Sequence, residues 1–112
     1  MMEAQFEFKN SENGKLMFNL KAENNQVILT SELYSDKTAA QNGIDSVKKH
    51  AGVDGNYERK TSAGKEPYFV LKAVNGQVIG KSEMYSSPSA LENGIASVKA
   101  NAPSAVVVDS TD

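Results

Sequence analysis

Two residues with chemistry to offer recur as a pair. Glu32 and Tyr34 lie in Ser31-Glu32-Leu33-Tyr34-Ser35, and Glu83 and Tyr85 lie in Ser82-Glu83-Met84-Tyr85-Ser86, 51 residues further on. Two carboxylates held side by side share one proton, because both cannot ionise there, and such a pair can do acid–base work. That chemistry requires Glu32 and Glu83 to meet, and nothing in the spacing brings them together. The plainer reading is a Tyr packing its ring at a sheet margin beside a Glu or backbone partner. A second recurring set is Asn42 and Ser46, returning as Asn93 and Ser97. Carboxamides and hydroxyls on a helix offer a polar contact surface rather than a reaction. His50 is the only histidine and there is no cysteine, so neither a Ser-His relay nor a thiolate or imidazole metal site has its parts. His50 follows two lysines at an expected helix C-terminus, where a cation is favoured, and its counterpart is Asn101. Nucleotide-binding, nucleophile-elbow and metal-spacing motifs are absent from the sequence. The sequence therefore assigns no catalytic residue, no cofactor and no metal.

These residues sit in a duplicated frame. Asn42-Gly43-Ile44-Asp45-Ser46-Val47-Lys48 returns as Asn93-Gly94-Ile95-Ala96-Ser97-Val98-Lys99. Phe18–Ala51 aligns with Phe69–Ala102 without a gap, and 20 of the 34 pairs are identical. Phe6-Glu7-Phe8-Lys9 aligns with Tyr57-Glu58-Arg59-Lys60 at the same offset, with compensating one-residue changes around Gly14-Lys15 and Gly64-Lys65. Such self-similarity marks an internal duplication. Two copies are too few for a solenoid, and closure about a pseudo-two-fold axis is the simpler arrangement. The chain reads as one domain over residues 1–112, made of two repeats over about 5–55 and 56–109.

Alternation of apolar and polar residues predicts strands over 5–9, 16–22 and 26–33 in the first unit and 56–60, 67–73 and 77–84 in the second. Ser11-Glu12-Asn13-Gly14 reads as a turn. Asn24-Asn25 and Asn75-Gly76 suit a two-residue type I′ hairpin, in which both central residues take positive φ. Pro88 at a first helical position makes Ser87 the N-cap, and Asp36 is its counterpart. The helix in the second copy then runs over 88–101. Ala40, Ile44, Val47 and Ala51 form its core stripe in the first copy, with Ala39, Gly43, Ser46 and His50 as a flank of mostly small residues. A Gly inside a helix costs about 1 kcal/mol relative to Ala, so Gly43 and Gly94 are expected to permit close packing. A phosphate site would need Gly at a helix N-terminus, and Gly43 is two turns in. Asn42 and Asn93 fall opposite the core stripe. The valines of Ala105–Asp109 form one more strand, aligned with 54–58, which gives each unit a strand after its helix.

The hairpin with Gln26-Val27-Ile28, the Ser31–Ser35 segment and Asn42–Lys48, each with its equivalent 51 residues on, resembles the YegP-like family of small bacterial proteins. The resemblance covers about residues 5–109. It implies an α+β fold of tandem β-β-β-α-β repeats in one mainly antiparallel sheet, with two helices on one face and post-helix strands exchanged between the halves. It also implies that single-motif chains pair as dimers. It implies no activity and carries over no catalytic or ligand residues. Phe8/Arg59 and Leu29/Gly80 depart from a perfect double pattern, so the halves are expected to differ in packing there.

At 112 residues the chain can bury on the order of 65% of its extended-state surface, enough for a core without staples. Its formal net charge is −2, with acids and bases interspersed and no basic block for duplex binding. No apolar run is long enough to span a bilayer, and Met1–Phe6 lacks the pattern of a signal peptide. The expectation is a soluble, cytoplasmic, monomeric and non-catalytic module that contacts another protein, with Asn42, Ser46, Asn93 and Ser97 as the candidate surface. Single-stranded nucleic-acid binding by aromatics on the sheet is the second reading. A small enzyme using Glu32/Glu83 and Tyr34/Tyr85 is the third.

Overall fold

The structure is a computed structural model describing residues 4–11 and 14–111. Glu12 and Asn13 of the first expected turn lie outside the described residues. The fold is α+β, a seven-stranded mixed sheet with two helices. Strands β1 (Gln5–Asn10), β2 (Leu16–Lys21) and β3 (Val27–Thr30) precede helix α1 (Lys37–His50). Strands β4 (Tyr57–Thr61), β5 (Pro67–Lys72) and β6 (Val78–Lys81) precede helix α2 (Pro88–Asn101), and β7 (Val106–Asp109) ends the chain. The strand order is β4-β5-β6-β3-β2-β1-β7. Every neighbouring pair is antiparallel except β1–β7, which is parallel, with Phe6 beside Val107.

Alternation along the strands sorts the two faces of the sheet. Phe6, Phe18, Leu20, Phe69 and Leu71 are fully buried under the helices. Ile44, Val47, Ile95 and Val98 complete the same core from above. Phe18 packs edge-to-face on Phe6, and Phe69 does so on Tyr57, with ring centroids 5.7 and 5.6 Å apart. Both helices start as their residues require. Asp36 Oδ1 accepts the Ala39 N–H at 2.8 Å and Ser87 Oγ accepts the Ala90 N–H at 3.1 Å, satisfying donors that a helix start leaves free.

Three expectations are corrected. The hairpins are not type I′. Among their tip residues only Asn25 (φ 70°) and Gly76 (φ 86°) are left-handed. The Asn25 N–H donates to Ala22 O and the Ala22 N–H to Gln26 O, which is a type I turn closed by one left-handed residue. The β4–β5 turn has the same bonding between Ser62 and Glu66 with Lys65 at φ 66°, and Gly14 takes φ 73° in the β1–β2 turn. The one-residue changes thus leave Gly64 beside the left-handed slot and Lys65 in it.

Strand β3 stops at Thr30 rather than reaching residue 33. Ser31 Oγ accepts the Phe18 N–H at 2.9 Å and donates to Glu32 O at 2.7 Å, so a hydroxyl replaces the main-chain partner and turns the chain out. Ser82 does the same with the Phe69 N–H and Glu83 O.

The segment over 54–58 and the strand over 56–60 are also not separate. A single 3-10 turn, Asp54–Asn56, leads straight into β4. The six residues between His50 and Tyr57 are too few to form a strand and reverse into another.

Candidate functional site

Each small helix flank closes on a tyrosine. Tyr34 and Tyr85 stack on Phe18 and Phe69 with centroids 6.0 and 6.2 Å apart and rings nearly parallel. Their hydroxyl ends reach Gly43 and Gly94. A Cβ at Gly43 would lie 2.7 Å from Tyr34 Cζ and 3.0 Å from Phe18 Cε2, and one at Gly94 would lie 2.6 Å from Tyr85 Cζ. Both glycines are therefore needed for the contact, and their partner is a ring rather than a second helix. Burial raises the pKa of both phenols, and Glu32 and Glu83 add smaller contributions in the same direction.

Beside each tyrosine lies a groove. The one over α1 has a volume of about 420 Å³ and is walled by Tyr34, Asn42 and Ser46 on one side and by Asn75, Gln77 and Ile79 of the β5–β6 hairpin on the other. The one over α2, about 210 Å³, is walled by Tyr85, Asn93 and Ser97 and by Asn24, Gln26 and Ile28 of the β2–β3 hairpin. Each groove thus takes one wall from each half of the chain. Every residue of the smaller groove has its counterpart, 51 positions away and identical in type, in the larger one. The aligned segment as a whole is identical at only 20 of 34 positions.

The polar groups of these grooves divide by whether the fold uses them. Asn24 and Asn75 Oδ1 accept the Gln26 and Gln77 N–H groups at 3.0 Å and shape the turns. Ser46 Oγ lies 3.3 Å from His50 Nδ1, and Ser97 Oγ accepts from Asn101 Nδ2 at 3.1 Å. By contrast, the side chains of Asn42 and Asn93 and the hydroxyls of Tyr34 and Tyr85 make no hydrogen bond among the described residues, although the two asparagines are exposed at the groove mouths. The walls are neutral apart from Glu32 in the larger groove.

The four residues chosen from the sequence are not one surface. Asn42 and Ser46 share one groove, and Asn93 and Ser97 share the other. Glu32 lines the larger groove, while Glu83, also exposed, lines neither of the two. His50 is buried at the C-terminal end of α1. Its Nδ1 lies 2.8 Å from Ser46 O, and its Nε2 accepts the Val74 N–H at 3.3 Å, linking α1 to the hairpin of the other half. The hairpin residues Gln26 and Gln77 belong to the recurring motif of the sequence but are not among its candidate site residues. Their identity in both copies, at exposed positions where a turn does not require glutamine, was the available signal. Among the described residues no cluster of His, Cys, Asp or Glu could hold a metal ion, and no helix is long and apolar enough to cross a membrane.

A seven-stranded mixed sheet carrying two motif-bearing helices defines a class of small α+β proteins built from two copies of one domain. The family model described as a domain of unknown function, DUF1508, matches this chain twice, over residues 11–58 and 62–109, and the chain belongs to that family. It is 53% identical over 106 residues to UPF0339 protein YegP of Yersinia pestis, covering 95% of each chain. It is 47% identical over 110 residues to UPF0339 protein YegP of Escherichia coli, covering 98% of this chain and all of that one. The solution NMR structure of the E. coli protein, a protein of unknown function, superposes with a TM-score of 0.92 over 99% of this chain and 96% of that one. The NMR structure of UPF0339 protein SO3888 from Shewanella oneidensis, 44% identical, gives 0.90 over 98% of this chain and 93% of that one.

Proposed function

We propose that this protein is a non-catalytic binding module of the bacterial cytoplasm that recognises another protein through its two helix-side grooves. The observation carrying this reading is the complete identity of the smaller groove's residues with their counterparts, on a background where many other pairs have diverged. Unpartnered carboxamides and phenol hydroxyls at a groove offer donors and acceptors to uncharged polar groups, main-chain amides among them. The phenols, with pKa values raised by burial, stay protonated and so serve as hydrogen-bond groups rather than bases. The two halves are related by a pseudo-two-fold axis between β3 and β6, and the strand after α2 crosses to the first half. The repeats satisfy each other, so the module is a monomer with two related sites that share one set of lining residues.

The test is a peptide selection on the intact protein. Displayed peptides that bind the wild type are screened against the Asn42→Ala/Asn93→Ala variant, whose exposed substitutions leave the core intact. Binders that produce amide shifts at both grooves and are lost in the variant support the reading. Binders that are retained by the variant, or that shift residues elsewhere, refute it.

A further inference from the structure

The face of the sheet away from the helices carries the charge opposite to that of the chain. Strand parity places Glu7, Lys9, Lys21, Glu58, Lys60, Lys72 and Lys81 there, five lysines against two glutamates on a chain of formal net charge −2. The two glutamates are already engaged. Glu7 Oε1 lies 2.7 Å from Lys21 Nζ, and Glu58 pairs with Lys72 at the equivalent place. Lys9 and Lys81 form no ion pair among the described residues, and the Lys60 ammonium is only at the 4.0 Å limit from Glu58. Between these cations lie apolar groups, the half-buried Met17 on β2 and the buried Val70 on β5, and the exposed Val106 lies beyond Lys9 on the edge strand β7.

We infer that this face docks an acidic, extended polypeptide segment with apolar residues between its carboxylates. The occupant follows from charge complementarity with Lys9, Lys60 and Lys81, and from the apolar side chains between them. A single-stranded nucleic acid would share the anionic character but needs rings on which bases can stack. Tyr68 is the one aromatic side chain that strand parity puts on this face among the described residues, and the Lys81 ammonium already sits 5.0 Å from its ring centre. The other strand aromatics, Phe6, Phe8, Phe18, Tyr57 and Phe69, are buried beneath the helices. The surface is distinct from the grooves, so either proposal can fail without the other.

The experiment titrates the isotopically labelled intact protein at low salt with three probes: a capped octapeptide alternating Glu and Val, its Gln-for-Glu analogue, and an oligothymidylate. The expected result is amide shifts at Lys9, Met17, Lys60 and Lys81 with the Glu peptide. Its affinity should fall steeply with added salt and by about tenfold or more in Lys9→Glu/Lys60→Glu/Lys81→Glu. All three substitutions are at exposed positions, and the single variant Lys60→Glu should fall part of the way. The inference is overturned if the Gln peptide binds equally well, if the shifts appear in the helix-side grooves, if the oligothymidylate binds more tightly, or if the Glu peptide does not bind.

Discussion

The equivalent strands β1 and β4 lie towards opposite ends of the sheet and meet different neighbours. At one edge β1 is covered by β7, which pairs with it from Gln5–Val106 to Phe8–Asp109 and is tied to α1 by Lys37 Nζ, 2.7 Å from Asp109 Oδ2. At the other edge β4 pairs only with β5 among the described residues. The side chains follow the neighbours. Phe8 beside β7 is buried, and its counterpart Arg59 on the open edge is exposed. Arg59 reaches Glu92 through Nε at 2.6 Å and Nη2 at 2.9 Å, and Asp54 at 3.3 Å. Glu92 stands where α1 has Gln41, so the charge and its partner changed together. Glu58, Arg59 and Lys60 make β4 a poor template for a foreign strand. At this pair of edges the divergence follows the surroundings, whereas every residue lining the smaller groove keeps its identity in the larger one.

The sharpest test of that view is at the seam between the halves, where Gly80 faces Leu29. A Cβ at Gly80 would lie 2.6 Å from Leu29 Cδ2, so one side chain fills the space of two. Gly80→Leu should destabilise by about 3 kcal/mol or more through overpacking, and Leu29→Gly by about 3–5 kcal/mol through a cavity. In urea melts the double variant should lose clearly less than the sum of the two, and simple additivity would break the explanation. Next in size are the matched glycines. Gly43→Ala and Gly94→Ala should each cost about 1–2 kcal/mol despite the better helix propensity of alanine. A stabilising result at one site but not the other would show that the two ring contacts are not equivalent.

Smaller effects probe the turns and the open edge. Lys65→Gly should stabilise by about 1 kcal/mol, because Lys65 occupies a left-handed conformation that glycine adopts freely. Gly14 already holds that slot in the first copy, and no gain in midpoint would sink the comparison. Arg59→Ala should cost no more than about 1 kcal/mol, because its ion pairs are exposed. Acid acts on the two carboxylates that pair with Arg59 and on Glu7 of β1. Hydrogen bonds from Lys99 and Arg59 hold Asp54 below its ordinary pKa, Arg59 does so for Glu92, and Lys21 and Ser110 for Glu7. Folded pKa values below the unfolded ones mean that this stabilisation is complete above the ordinary carboxylate range, about pH 4–5, and is lost as pH falls through the depressed values. Melts between neutral and acidic pH should show that loss, with a smaller drop in Arg59→Ala.

Much of this was legible in the residues. Pro88, Ser87 and Asp36 located both helix starts because capping is a local demand. The strands were found because their apolar period matches one buried face. The strand ends were not, because the stop depends on a Ser31 hydroxyl taking a main-chain bond from Phe18, a residue on another strand. The turn type was misjudged because Asn-Asn and Asn-Gly also suit a turn with one left-handed residue. The helix wall of each groove was readable from the recurrence of Asn42 and Ser46. The opposite wall was not, because Asn75 and Gln77 arrive from the hairpin of the other half.

The Leu29–Gly80 contact also bears on how such a chain changes over generations. A half-length chain pairing with its own copy would set leucine against leucine, or glycine against glycine, at this seam. One arrangement crowds the space and the other empties it. With leucine on one side and glycine on the other, each half is matched at this seam to its partner and not to a copy of itself. At this contact the two halves have taken complementary parts, one supplying bulk and the other room, and can no longer stand in for each other.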